Sequence, residues 1–138
     1  MKTLLVGEYR EDKFFENCYD LFGFASICKD DFVFFAVGNK KDIPVINGRV
    51  ILADSSRYLE YNPIIHRDII VEIVKRENIK KVVFLHSSYG WDLAPRVAFK
   101  LNYPLLTEVT GVADELYVKP IFNGKLNAYL KPSREDVV

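Results

Sequence analysis

Two rhythms of hydrophobic and polar positions alternate along this chain. Short apolar runs recur at Thr3–Tyr9, at Asp31–Gly38 through Phe32-Val33-Phe34-Phe35-Ala36-Val37, at Val50–Ala53 and at Lys81–Leu85. Runs of this kind read as strands buried on both faces, the habit of a parallel sheet. Between them the apolar spacing becomes helical. Asp12–Phe22 carries Phe14, Phe15, Cys18, Tyr19 and Phe22 at that spacing, and Gly23 is expected to end the helix. Asn62-Pro63 announces a second helix, with Asn62 as N-cap and Ile65, Ile69, Ile70, Ile73 and Val74 as its buried face. A third is expected from about Asp92 to Asn102, capped by Asp92, with Pro95 in its first turn and Leu93, Val97 and Leu101 as its stripe.

Beyond Pro104 the pattern changes. Leu105–Val109 reads as a short strand. Leu116–Phe122 and Lys125–Leu130 flank Asn123-Gly124, a strong hairpin signal. The expected architecture is α/β, a three-layer sandwich with a mostly parallel sheet of about five strands, plus a C-terminal β-hairpin. A length of 138 residues fits a single domain over 1–138.

Composition narrows the function classes. Apolar residues make up 49% of the chain, enough for a core without a disulfide or metal staple. Nineteen Lys and Arg balance nineteen Asp and Glu, which argues against a nucleic-acid partner. A chain without net charge also repels its own copies little, so association is easy. The opening apolar run is interrupted by Glu8, Arg10, Glu11 and Asp12, unlike a signal peptide, and no apolar stretch approaches the ~20 residues that span a membrane. A cytoplasmic protein is expected, with Cys18 and Cys28 as reduced thiols.

Candidate chemistry gathers at the turn after the Lys81–Leu85 strand. Ser87, Ser88 and Gly90 sit between strand and helix, where backbone N–H groups and hydroxyls cradle phosphates; Ser and Gly are equally good plain turn residues. No Walker or Gly-x-Gly-x-x-Gly pattern accompanies them. His86 stands at the strand end, but the turn is not a hydrolase elbow. His66 reads as a packed histidine, and Glu8 follows the first strand where it holds a loop or a ligand. Tyr89 and Trp91 lie in the turn and either cover a ring or anchor a partner, the second being favoured. Neither a catalytic set nor a metal site is expected.

Three motifs then carry a resemblance. Gly90-Trp91-Asp92-Leu93-Ala94-Pro95-Arg96-Val97-Ala98 resembles the Gly-Arg-Asp-Leu-Ala-Pro-Arg-Leu-Ala signature of the electron transfer flavoprotein alpha subunit. Leu106-Thr107-Glu108-Val109 is similar to that family's Leu-x-Thr-Asp-Val, and Val118-Lys119-Pro120-Ile121-Phe122-Asn123-Gly124-Lys125 to its Val-x-Arg-Pro-x-Tyr-Gly-Gly-Lys hairpin. Val50–Asp54, followed by Leu59 and Tyr61, is similar to the segment before the same strand, and Glu8 matches a glutamate common after the first strand. Trp91, Glu108, Lys119 and Asn123 depart from the family's pattern, as does Leu85-His86-Ser87-Ser88 in place of Gly-Ala-Thr-Ser.

The resemblance implies the subunit's N-terminal domain, with an adenine-nucleotide alpha-hydrolase-like fold. It implies a binding or scaffold role in flavin-dependent electron transfer rather than an enzyme with its own catalytic residues. Partners so implied are a second copy, a beta-like subunit or an FAD-binding polypeptide. FAD or AMP enters as cofactor by resemblance only, and this chain alone is expected to hold neither, because the family's FAD contacts come mostly from a second domain. The alternatives are a stand-alone adenine-nucleotide-binding domain, using Ser87, Ser88 and the helix N-terminus, and a small hydrolase using His86.

Overall fold

A computed structural model describes residues 1–58 and 60–138; Leu59, one of the residues of the resemblance, lies outside the described residues. Four strands form a parallel sheet: β1 (Lys2–Val6), β4 (Asp31–Gly38), β5 (Arg49–Asp54) and β6 (Lys81–Phe84). Their order is β5-β4-β1-β6, so β1 is central and bonded on both sides. Successive side chains of a strand face opposite ways. Leu4, Val6, Val33 and Phe35 therefore meet α3 (Pro63–Glu77) and α4 (Ser88–Leu101) through Ile70, Val74, Leu93 and Val97. Leu5, Phe34 and Ala36 face the other way, onto Cys18, Leu21 and Ala25 of α1 (Cys18–Cys28). Both faces are covered, which is why these strands read as unbroken apolar runs.

The three-layer α/β architecture is as the sequence predicts, with corrections. A fifth strand position holds only one bridge, Lys81 to Val137. Leu105–Val109 is not a strand. The first helix starts later than its spacing suggests. Tyr9–Arg10 (β2) and Lys13–Phe14 (β3) close a small hairpin instead, with the Tyr9 and Phe14 rings edge to face. Gly23 lies inside α1, because burial of Cys18, Leu21 and Ala25 carries the helix through it. The helix ends at Lys29, held in the left-handed region. A short helix, α2 (Ser55–Tyr58), follows β5, and Asn62 then caps α3 as expected, its Oδ1 accepting from Ile64 and Ile65 N–H.

A second sheet stands apart from the first. β7 (Gly111–Ala113), β8 (Leu116–Ile121) and β9 (Leu126–Leu130) run antiparallel in that order, so the expected hairpin gains a third strand. Tyr117 of β8 stacks on Phe24 of α1, and β7 lies against the same helix. Beneath this contact lies a buried ion pair. Lys81 Nζ is 2.7 Å from Asp30 Oδ2, which also accepts from the Thr3 hydroxyl at 2.8 Å. Burial works against the Lys81 charge, yet Asp30 and Tyr117 together hold its pKa above the ordinary lysine value. The pair joins β1 and β6 to the segment entering β4. Lys81→Met would leave the buried Asp30 carboxylate only the more distant N-terminal ammonium, at 3.8 Å, and is expected to cost roughly 3 kcal/mol, read as a lower urea midpoint at unchanged slope.

Candidate functional site

In a sheet ordered β5-β4-β1-β6, the chain leaves β1 toward one edge and later returns to the other. The crevice beyond the carboxyl ends of β1 and β6 is therefore the place where such folds bind ligands. Two sequence-predicted residues meet there. Glu8 follows β1 and is buried; Ser87 follows β6. The Ser87 hydroxyl donates a short hydrogen bond to Glu8 Oε1 and accepts one from Gly90 N–H at 3.0 Å, capping α4. Arg10 Nη2 stands 3.5 Å from Glu8 Oε2, and its guanidinium lies over the Phe15 ring. Glu8 N–H donates to Cys18 Sγ at 3.2 Å. Burial pushes the Cys18 thiol up to about 11, so it stays protonated.

The residues of the expected phosphate turn are thus engaged. Ser87 serves Glu8 and the helix cap, and Gly90 N–H serves Ser87. Ser88 is exposed beside them. A carboxylate sits where an incoming phosphate would place its own charge, so the turn does not fit a phosphate group. Gly90 has a further reason for being glycine: a Cβ there would lie 2.0 Å from the Leu85 carbonyl oxygen. The helix approaches the strand end backbone to backbone.

Other residues of the signature are placed with equal economy. α4 begins at Ser88, not at Asp92, because the Ser87 hydroxyl supplies the cap. Pro95 is consequently inside the helix, leaving the carbonyl of solvent-facing Trp91 without an intrahelical donor. Asp92 instead accepts from Arg96, at 3.1 Å, and from the Tyr61 hydroxyl at 2.5 Å. Those hydrogen bonds, Tyr61's first, hold the Asp92 carboxyl below the usual range.

Tyr89 departs from its expected role as a partner anchor. Its ring turns inward, and its hydroxyl lies 3.0 Å from His66 Nδ1. His66 Nε2 lies 3.2 Å from the Tyr58 carbonyl, an acceptor only, so Nε2 carries the proton and Nδ1 accepts from Tyr89. Trp91 alone of the pair is surface-exposed, with its indole N–H directed at His86 Nε2 across 3.2 Å. Ser87 bonds Glu8 rather than His86, so no Ser-His dyad forms.

Sequence reasoning missed a cleft. The second and third family-like motifs come together where Lys119 Nζ donates to the Thr107 hydroxyl at 2.7 Å and faces Glu108 at 3.6 Å. Glu108 and Lys119, with His86, Thr110, Phe122 and Asn123, line an open groove of about 650 Å³. The opposite charges of Glu108 and Lys119, eleven residues apart, are the sequence signal that could have marked it. No group of three or more His, Cys, Asp or Glu among the described residues is arranged to hold a metal.

Comparison with known proteins decides the family. A family model described as an electron transfer flavoprotein domain matches residues 47–138. The chain belongs to this family. Over 81 residues it is 25% identical to the electron transfer flavoprotein subunit alpha of Bacillus subtilis (strain 168), a match covering 56% of this chain and 25% of that protein. The matched stretch thus spans about a quarter of its relative's length. This electron transfer flavoprotein domain has, among its described residues, no helix long and apolar enough to cross a membrane.

Two outcomes are expected. Gly90→Ala forces a methyl into the Leu85 carbonyl and should destabilise by roughly 3 kcal/mol, far more than the gain in helix propensity, measured by urea unfolding. Burial lowers the His66 pKa below its unfolded value near 6.5. Its contribution is therefore complete above about pH 6.5 and is lost as pH falls through the lower folded pKa. The fall in stability between pH 7.5 and pH 5 should be smaller in His66→Gln than in the native chain.

Proposed function

We propose that this domain is a docking and scaffold unit of an electron transfer flavoprotein, not its nucleotide carrier. One observation carries the reading: the Glu8 carboxylate is bonded to the Ser87 hydroxyl in the crevice between β1 and β6. A nucleotide phosphate entering that crevice meets a buried anion and a helix start already capped. Ser87, Ser88 and Gly90 thus act here as fold elements. FAD is held elsewhere than in this turn, by a partner polypeptide or another part of the assembly. The Bacillus subtilis relative is a subunit by name, which supports a partner for this chain. The partner is a beta-like or FAD-binding subunit rather than a second copy of this chain.

Thermal unfolding of the purified chain tests the reading. Neither AMP nor FAD, at millimolar concentration, is expected to raise Tm, since only a ligand bound to the native state does so. A rise with either returns the domain to the nucleotide-binding class. In a second measurement, a complex purified with its partner subunit should show flavin absorption that the separated chain lacks. A yellow chain on its own would overturn the proposal.

A further inference from the structure

Gly23 stands exposed in the middle of α1, where glycine costs helix stability relative to alanine. The fold of the single chain does not call for it: a Cβ at this position meets nothing within 4 Å among the described residues. The helix around it is also short of polar surface. α1 reads Cys-Tyr-Asp-Leu-Phe-Gly-Phe-Ala-Ser-Ile-Cys, with Asp20 its one charge. α3, by contrast, turns Asp68, Glu72, Lys75 and Arg76 to water. A helix that is apolar on nearly every side is ordinarily covered on every side. Here Tyr19 is 56% exposed and Ile27 63%.

Tyr19, Gly23 and Ile27 are spaced by four and form one ridge along the outer face of α1. The ridge is a large residue, a gap and a large residue. A groove of about 370 Å³ adjoins its first member, lined by Tyr19, Phe22, Phe32 and the loop from Pro44 to Asn47, whose Val45 is fully exposed. Phe14 and Phe22 hold the Tyr19 ring edge to face, so little freedom is left for it to lose on contact. Charges frame the ridge. Glu16 stands before the helix and Lys29 at its end, both exposed and neither in an ion pair among the described residues.

We propose that this ridge is an interface with a second copy of the chain, two α1 helices crossing antiparallel with Gly23 on the twofold axis. The pattern is complementary to itself, as such an axis requires. Ile27 of each copy meets Tyr19 of the other, at the mouth of its groove. The paired glycines let the backbones approach where the ridges cross. Lys29 of each copy comes opposite Asn17 of the other and beside its Glu16, and Asp20 comes opposite Ser26, whose hydroxyl is a donor for it. A parallel crossing sets Glu16 against Glu16 and Lys29 against Lys29, so charge selects the antiparallel one. With nineteen basic residues balancing nineteen acidic ones, the copies have no overall repulsion to overcome. This contact goes beyond the proposed function: the second copy joins the flavin-binding subunit in the assembly and does not replace it.

Sedimentation equilibrium of the intact chain tests this, with a monomer–dimer equilibrium expected in the micromolar range. Gly23→Arg places a long cation on the axis and should leave a monomer with unchanged circular dichroism, since the site is open within one chain. Glu16→Lys or Lys29→Glu alone should weaken the dimer roughly tenfold, because the axis repeats each lost pair. The two together restore opposite charges at both ends and should recover the native dissociation constant. Amide exchange and cross-linking on dimerisation should map to α1 and to residues 44–47. A chain that stays monomeric, a dimer indifferent to Gly23→Arg, or single losses that the double substitution does not recover would overturn the proposal. None of these outcomes bears on nucleotide or flavin binding, so the proposed function stands or falls separately.

Discussion

The hydrogen bond between Glu8 and Ser87 is the constraint on which this molecule's arrangement turns. A buried carboxylate is costly unless donors reach it, and here two do: the Ser87 hydroxyl and the Arg10 guanidinium. Satisfying Glu8 fixes the segment after β1 against the segment after β6. The same serine caps α4, so the helix is positioned by the strand's own acid.

Much of the fold is legible because parallel strands covered on both faces leave a plain trace. Phe32 to Val37 has no polar interruption, and the structure puts Phe34 and Phe35 into separate cores on opposite faces. Asn62-Pro63 is legible for the same local reason: cap and first turn are written in adjacent residues. What is lost is set by distant contacts. Phe14 and Phe15 have helical spacing with Cys18, but they pack beside Phe34 and Arg10 from a hairpin and its exit. Glu11 and Asp12 turn that hairpin with positive φ, where glycine or asparagine is the usual cue.

The site divides in the same way. Ser87 and Gly90 stand out as turn residues, and Glu8 is visible as an acid after a strand. That the acid and the serine bond each other depends on β1 lying next to β6, a fact of topology seventy-nine residues apart in the chain. Asp92 shows the opposite error. It has the look of a helix cap, and only Tyr61 and Arg96, reaching it from outside, reveal why it serves better as an acceptor on the helix flank. The signature around it is therefore a recipe for seating one helix, with Gly90 setting the distance and Asp92 the rotation.

The central position of β1 has a consequence for how the chain acquires its shape. Its two neighbours are far away in sequence, β4 at thirty-one and β6 at eighty-one, and Val137 reaches the outer side of β6. None of these pairings is a local hairpin. The first strand made is thus the last to be complete, held between partners that arrive at different times. Loops must close before any of its hydrogen bonds form, which places the search for the native state in the slow range of small proteins. The antiparallel trio at residues 111–130, by contrast, pairs only strands adjacent in sequence, so the loops it must close are short.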